Sequence, residues 1–369
     1  MTFPLSPGAD RELQYTRGKP NWLPWCAAEH RATRSDVAVF DQTSFGKLLI
    51  KGDDAQDLLQ LLCTADLAVE PGRTTYTGML NTRGGYEADV TVTRVGYDEY
   101  LLVTSAGSPV RDREWIMRHA GRGQHVSVTD VTTAYAVYGV MGPQSRELLQ
   151  RLTRADLSDS AFPFSTSKQI DLGHATVRAT RITYVGELGW ELYVPVEFGV
   201  GVYEELQAAG ADLGIVNAGY YAINSLRLEK GYRAFGSDLT PDHAPIEAGL
   251  QFACKLRTSV DFIGRAAVEN ARRDGVRRKL ASFVLRDPEV MLWGGELILH
   301  DGEPAGQVTS AAWGESLGAC VALGYVQGVP ATADHVKSGN YQLSIGGALA
   351  DASVHLRPPY DPAGEKIKS

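Results

Sequence analysis

Gly78-Met79-Leu80-Asn81-Thr82-Arg83-Gly84-Gly85-Tyr86-Glu87-Ala88-Asp89 is the stretch on which the reading of this chain turns. Strand-like Thr74-Thr75-Tyr76-Thr77 precedes it and strand-like Val90-Thr91-Val92-Thr93 follows it. Asn and paired glycines between two such runs signal a hairpin turn. Along the second strand Ala88, Val90 and Val92 face one way, and Asp89, Thr91 and Thr93 the other. The pattern holds a carboxylate on a stiff strand with hydroxyls beside it. A core strand has no use for an acid there, so Asp89 is the leading candidate for chemistry.

Working outward, residues 45–62 read as strand, Gly52, then helix. Residues 135–152 repeat that order around Gly142, with the same Leu-Leu-Gln core. The echo fits two related α+β lobes, although strand-Gly-helix is a common succession. A strand over 97–104 and a helix over 110–119 lie between the two units. Residues 174–194 read as a second hairpin that turns at 185–189. Glu187 in that turn reads as facing solvent. Helices are expected over 200–208 and 219–230, the latter with Ala222, Ile223 and Leu226 on one face and Arg227 near its end. Residues 231–242 form a loop rich in Gly, Pro and Asp. Residues 270–279 are a charged, exposed connector that marks a domain boundary. The remainder is a succession of short strands, expected to form a small β-barrel or jelly roll. The tail from Pro358 reads as loose. Residues 1–35 read as an arm docking on the body, in which Trp22 and Trp25 either pack or line a ligand cage. The fold class is α+β rather than a doubly wound sheet.

The chain has 369 residues, 44% hydrophobic and 22% charged, with a net charge of -8 and a pI of about 5.6. That is the composition of an ordinary globular protein with room for two or three domains. No Lys/Arg-rich run supports a nucleic-acid surface, and no run approaches the ~18 apolar residues of a membrane span. The first ten residues carry no signal pattern, so the expected location is cytoplasmic. Cys26, Cys63, Cys254 and Cys320 are far apart and read as reduced, mostly buried thiols. There is no dinucleotide fingerprint, P-loop, metal spacing or nucleophile elbow. What remains is a set of acids in turns: Asp89, Glu187, Glu191, Asp238 and Glu247.

Several blocks, taken together, resemble the folate-binding aminomethyltransferase family. That family comprises the glycine cleavage T-protein and the C-terminal halves of dimethylglycine and sarcosine dehydrogenases. The blocks are Phe40-Asp41-Gln42-Thr43-Ser44-Phe45, the Asn81–Asp89 hairpin, Met141-Gly142-Pro143 and Tyr184-Val185-Gly186-Glu187-Leu188-Gly189-Trp190-Glu191. They continue with Ser225-Leu226-Arg227-Leu228-Glu229-Lys230-Gly231-Tyr232-Arg233-Ala234-Phe235-Gly236, Asp238-Leu239-Thr240-Pro241, Pro245-Ile246-Glu247-Ala248-Gly249-Leu250 and Phe262-Ile263-Gly264-Arg265. The wording is closer to the dehydrogenase halves. The T-protein has two adjacent acids after the paired glycines, where this chain has Ala88-Asp89. The flavin domain of those dehydrogenases is not expected, since only a short stretch lies upstream of Trp22.

The resemblance implies a three-domain cloverleaf around a central folate channel. Residues 1–52 with 133–270 would form an α+β domain contributing folate-binding residues. Residues 53–132 would form a ferredoxin-like domain carrying Asp89, and 271–369 a C-terminal β-barrel. It implies tetrahydrofolate as cofactor, Asp89 as the catalytic acid, and Tyr184, Glu191, Arg227 and Tyr232 around the folate, with Glu247 a lesser wall candidate. Trp22, Tyr86 and Trp313 are candidates for the substrate pocket. The implied activity moves a methyl or methylene group from a small methylated amine to N5 of tetrahydrofolate. The enzyme would be a free-standing demethylase or the folate subunit of a separate flavin dehydrogenase, with the T-protein activity as the rival. Neither nucleic acid nor membrane is expected as partner. A folate-binding scaffold is the non-enzyme alternative, but that branch carries Lys-Gly-Cys where this chain has Lys230-Gly231-Tyr232.

Overall fold

The computed structural model describes Glu12, Gln14 and residues 16–368. Its strands form two open sheets and a closed barrel. The six-stranded sheet runs Val216–Ala218, Ala38–Asp41, Tyr135–Met141, Gly189–Pro195, Ala175–Thr180, Ser167–Leu172. The five-stranded sheet runs Thr74–Leu80, Tyr86–Gly96, Glu99–Thr104, Gly46–Lys51, Ser127–Asp130. The barrel closes from Arg278–Leu285 through Ala319–Gln327, Glu303–Gly314, Leu297–His300 and Tyr341–Ile345 to Ala348–His355. Each of the three has its own apolar core. Because Gly46–Lys51 pairs inside the five-stranded sheet, that unit begins ahead of the boundary expected at residue 52.

The sequence echo corresponds to matched local structure. Helices Ala55–Leu62 and Ser145–Leu152 follow their strands after Gly52 and Gly142. Both glycines hold left-handed backbone, with φ of 131° and 126°. A Cβ on Gly52 would lie 1.9 Å from the His125 carbonyl oxygen, and one on Gly142 2.4 Å from that of Asp36. Ala55 N–H bonds Gly52 O, and Ser145 N–H bonds Gly142 O. The same turn chemistry therefore opens both helices, whatever its origin.

Several expectations change. The strand expected over 174–184 stops at Thr180, and the chain to Gly189 is an irregular segment tied down by side chains. Ser167–Leu172, not anticipated, pairs with Ala175–Thr180. Residues 1–11, 13 and 15 of the expected arm lie outside the described residues, and its last part is a helix, Leu23–Ser35, with Pro24 in its first turn, packed on the helix Tyr220–Glu229. The connector is largely the end of the helix Arg265–Asp274. The tail is not loose at Tyr360 and Asp361. Tyr360 N–H bonds Glu229 O, its hydroxyl donates to Glu187 at 2.8 Å, and Asp361 pairs with Lys230 at 2.9 Å. Glu187 is correspondingly 2% exposed rather than solvated, since Arg34 also pairs with it at 3.0 Å.

The barrel is fastened to the rest by buried polar groups. Asp238, with no exposed surface, pairs with Arg227 at 2.6 Å. It also accepts from Ala234 N–H and from Thr309 and Ser310 on the barrel strand Glu303–Gly314. Barrel residue Tyr325 donates to the Asp238 carbonyl. A buried carboxylate this fully bonded is stable only while its cation stays in place. Replacing Asp238 with Ala strands Arg227 without a counter-ion. Chemical denaturation should show a loss of roughly 3–5 kcal/mol, and a loss under about 1 kcal/mol, the range of surface pairs, would show that the seam does not depend on it.

Candidate functional site

The Asn81 side chain builds the turn that presents Asp89. Its Oδ1 accepts from Arg83 N–H and Gly85 N–H, and its Nδ2 donates to the Pro241 carbonyl. Gly85 lies so close to the loop that a Cβ there would sit 1.8 Å from Pro241 O. A bulge between Met79 and Leu80 absorbs one residue, after which Ala88 pairs with Met79 and Asp89 with Gly78. Opposite Asp89 there is therefore no side chain. The Tyr86 ring fills that space instead, 2.4 Å from where a Gly78 Cβ would be.

Tyr76, which pairs with Thr91 on the neighbouring strand, stands diagonally across from Asp89. Asp89 Oδ1 is buried and has no hydrogen-bond partner. Loss of water pushes the Asp89 carboxyl up to about 7, partly offset by Tyr76 and by the charge of Arg233. The Arg233 guanidinium donates to the carbonyls of Gly231 and Ala248, and its Nε is buried without a partner. Burial and the nearby Asp89 charge raise the Tyr76 and Tyr86 hydroxyls well above their ordinary range.

Of the expected folate residues, the structure ties Tyr184 and, through it, Tyr232 to this neighbourhood. Tyr184 donates to the Arg233 carbonyl at 2.7 Å, and its ring stacks on Tyr232 with centroids 6.0 Å apart. Burial raises both hydroxyls, that of Tyr232 to about 12. Glu191 is buried on a central strand of the six-stranded sheet, where it accepts from Tyr193 at 2.7 Å. Its carboxyl is raised by burial, with the Tyr193 bond opposing. Arg227 is 3% exposed and bonds Asp238, the Tyr232 carbonyl and Asn224, so its fork is already occupied. Glu247 accepts from Ala244 N–H and pairs with Arg278.

The three substrate-pocket candidates do not share one cluster. Tyr86 packs with Leu80 and Leu239, close to Tyr76. Trp22 stacks on Tyr221 at 4.3 Å and meets Trp293 edge-on. Trp313 carries Lys19 over its ring and bonds Glu315. Sequence reading missed Tyr76 as a partner of Asp89, although the register implied by the turn places it diagonally across. It also left Arg233 unassigned, because only the packed loop shows where that side chain turns. Among the described residues no group of acids, histidines and cysteines could hold a metal, and no helix is long and apolar enough to cross a membrane.

The arrangement offers a carboxylate with one buried, unpartnered oxygen and a stacked tyrosine pair beside Arg233, while Glu191 is a separate buried carboxylate on the six-stranded sheet. A flat, nitrogen-rich ring with N–H groups fits such a set. Comparison with known proteins gives the same direction. Residues 6–258 match the model of the GCVT N-terminal domain, and 278–361 that of the glycine cleavage T-protein C-terminal barrel domain. The mitochondrial sarcosine dehydrogenase of Homo sapiens is 39% identical over 96% of this chain, which spans 40% of that protein. The aminomethyltransferase of Halothermothrix orenii is 34% identical over 81% of this chain and 82% of its own. The crystal structure of the glycine cleavage system aminomethyltransferase T from Bartonella henselae superimposes with a TM-score of 0.80 at 26% identity, covering 91% of this chain and 90% of that one. With both domains matched in order on a shared fold, the chain belongs to the glycine cleavage T-protein (GCVT) family.

Proposed function

We propose that the chain is a tetrahydrofolate-dependent one-carbon transferase that takes a methyl or methylene group from a small methylated amine. The observation that carries this reading is Asp89, a half-buried carboxylate with one oxygen shut away from water and unpartnered. When bound, reduced folate supplies a nucleophilic nitrogen, N5, that accepts the one-carbon unit. Asp89 Oδ1 is the base that takes the proton shed as that nitrogen bonds carbon, and the negative charge that steadies a cationic amine. A carboxyl raised to about 7 suits this work near neutral pH, since it both accepts and returns a proton readily. Glu191 would hold N–H groups of the ring, and Tyr184 and Tyr232 its face. The closed surroundings exclude water and fix the reacting atoms, which is where most of the acceleration would come from.

The 39% identity to sarcosine dehydrogenase favours a methylated amine that also bears a carboxylate, supplied directly or as an oxidised donor by a separate flavin dehydrogenase. The match over 82% of an aminomethyltransferase favours a second reading, transfer of an aminomethyl carbon in a T-protein reaction. Incubation with tetrahydrofolate and a panel of methylated amines, followed by mass measurement of the folate product, separates the two. Absence of any folate binding would remove both.

Asp89→Asn should retain folate binding while transfer falls at least roughly a hundredfold. The same variant should be more stable than the parent at pH 8. The folded carboxyl titrates near 7 rather than 3.8, so native Asp89 loses stability as pH rises across that interval. The gain should reach about 2–4 kcal/mol above pH 7 and close toward pH 4; thermal melts across pH would show it, and equal stability at pH 8 would contradict the desolvated environment. Tyr76→Phe removes a hydroxyl beside Asp89 that favours the charged form. The rise of kcat/KM with pH should move upward by roughly half a unit or more, and an unmoved profile would show that Tyr76 does not tune Asp89.

A further inference from the structure

A cavity of about 380 Å³ lies where the two open sheets face one another, away from Asp89. One wall is a cross-strand row on the six-stranded sheet. Gln169 pairs with Arg178, and Arg178 with Tyr193, so all three side chains stand on the same face. The opposite wall, from the five-stranded sheet, is apolar: Leu49, Val95 and Leu101. Glu99 stands at the rim, held by Lys51 at 2.8 Å.

Arg178 is the unusual member. Its side-chain bond is to Ser167 Oγ at 3.4 Å, the outer limit of a hydrogen bond, and that oxygen already takes a shorter bond from Thr180. Among the described residues no carboxylate reaches it within ion-pair distance. Burial works against its charge, with Tyr135 and Glu99 opposing only from a distance. A half-buried guanidinium with most of its five donors unbonded is available to an acceptor that enters the cavity. The acceptor that matches its planar fork is a carboxylate, bound through two parallel N–H bonds. The facing wall asks for a hydrocarbon body, and Glu99 repels a second negative charge. The volume is right for a small organic molecule.

We propose that this cavity binds a small monocarboxylate with an apolar body, its carboxylate on Arg178 and its hydrocarbon against Leu49, Val95 and Leu101. The site borders the centre of the molecule, because Tyr193 also donates to Glu191. The proposal concerns binding alone and stands whether or not folate is the cofactor.

Calorimetric titration of the full chain with benzoate, benzyl alcohol and terephthalate tests it. Benzoate should bind saturably, while the uncharged alcohol and the dianion should each bind at least about tenfold more weakly. Arg178→Met should weaken benzoate by a similar factor and Arg178→Lys by less, since a point charge lacks the fork. Gln169→Trp, at an exposed strand position, fills the cavity from its open side and should block benzoate even if the Arg178 variants do not fold. No saturable benzoate binding, equal binding of the alcohol, or binding that survives Gln169→Trp would overturn the assignment.

Discussion

Burial of Asp238 is the constraint on which the centre of this molecule rests. A carboxylate with no access to water must have every lone pair answered. Here the answers come from Arg227 on a helix, Ala234 in the following loop, and Thr309 and Ser310 on the barrel. Three parts of the fold are thereby fixed relative to one acid. The loop held in this way carries Tyr232 and Arg233, and its continuation supplies Pro241, against which the Asp89 hairpin is seated. The position of the candidate catalytic group is inherited from a bond network that never touches it.

Asp89 and Asp238 show how environment divides two carboxylates, one half-buried and one fully buried. Asp238 meets a guanidinium, a backbone N–H and two hydroxyls. Asp89 meets one tyrosine and a more distant Arg233, and keeps an oxygen without a partner. The first arrangement makes a structural anchor and the second a group ready to exchange a proton. The cost of leaving Asp89 so exposed to low dielectric is borne by the surrounding core, as is usual where reactivity is built into a stable scaffold.

How much of this was readable in the amino acids follows from the range of each interaction. The hairpin, the two strand-Gly-helix units and the barrel strands rest on local turn chemistry and alternation, and these lie on the surface of the sequence. Asp89 stood out because an acid was placed where a core strand had no need of one. The family wording supplied Tyr184 and Glu191 as residues to watch, which spacing alone could not. Glu187 misled because a turn usually faces water, whereas the distant Arg34 and Tyr360 close over it. Tyr360 and Asp361 looked loose for the same reason, their partners lying far away in the chain. Arg227 seemed free to meet a ligand because its partner Asp238 follows in a loop whose path is set by the barrel. Local signals reveal elements, while partners brought together by docking stay hidden.

One cluster reaches further along the chain than any other feature of the core. His30 touches Ser225 and Ser316, Arg34 joins Glu187 to Glu229, and Tyr360 closes over both. These contacts reach from Arg34 to Tyr360, nearly the whole length of the chain. During synthesis Glu29, His30 and Arg34 meet Gly219, Ser225, Glu187 and Glu229 first, and the contacts of His30 with Ser316 and of Arg34 with Tyr360 wait until the barrel and tail emerge from the ribosome. The order of assembly is built in: the sheets can ripen early, but the knot that joins them to the barrel is tied last.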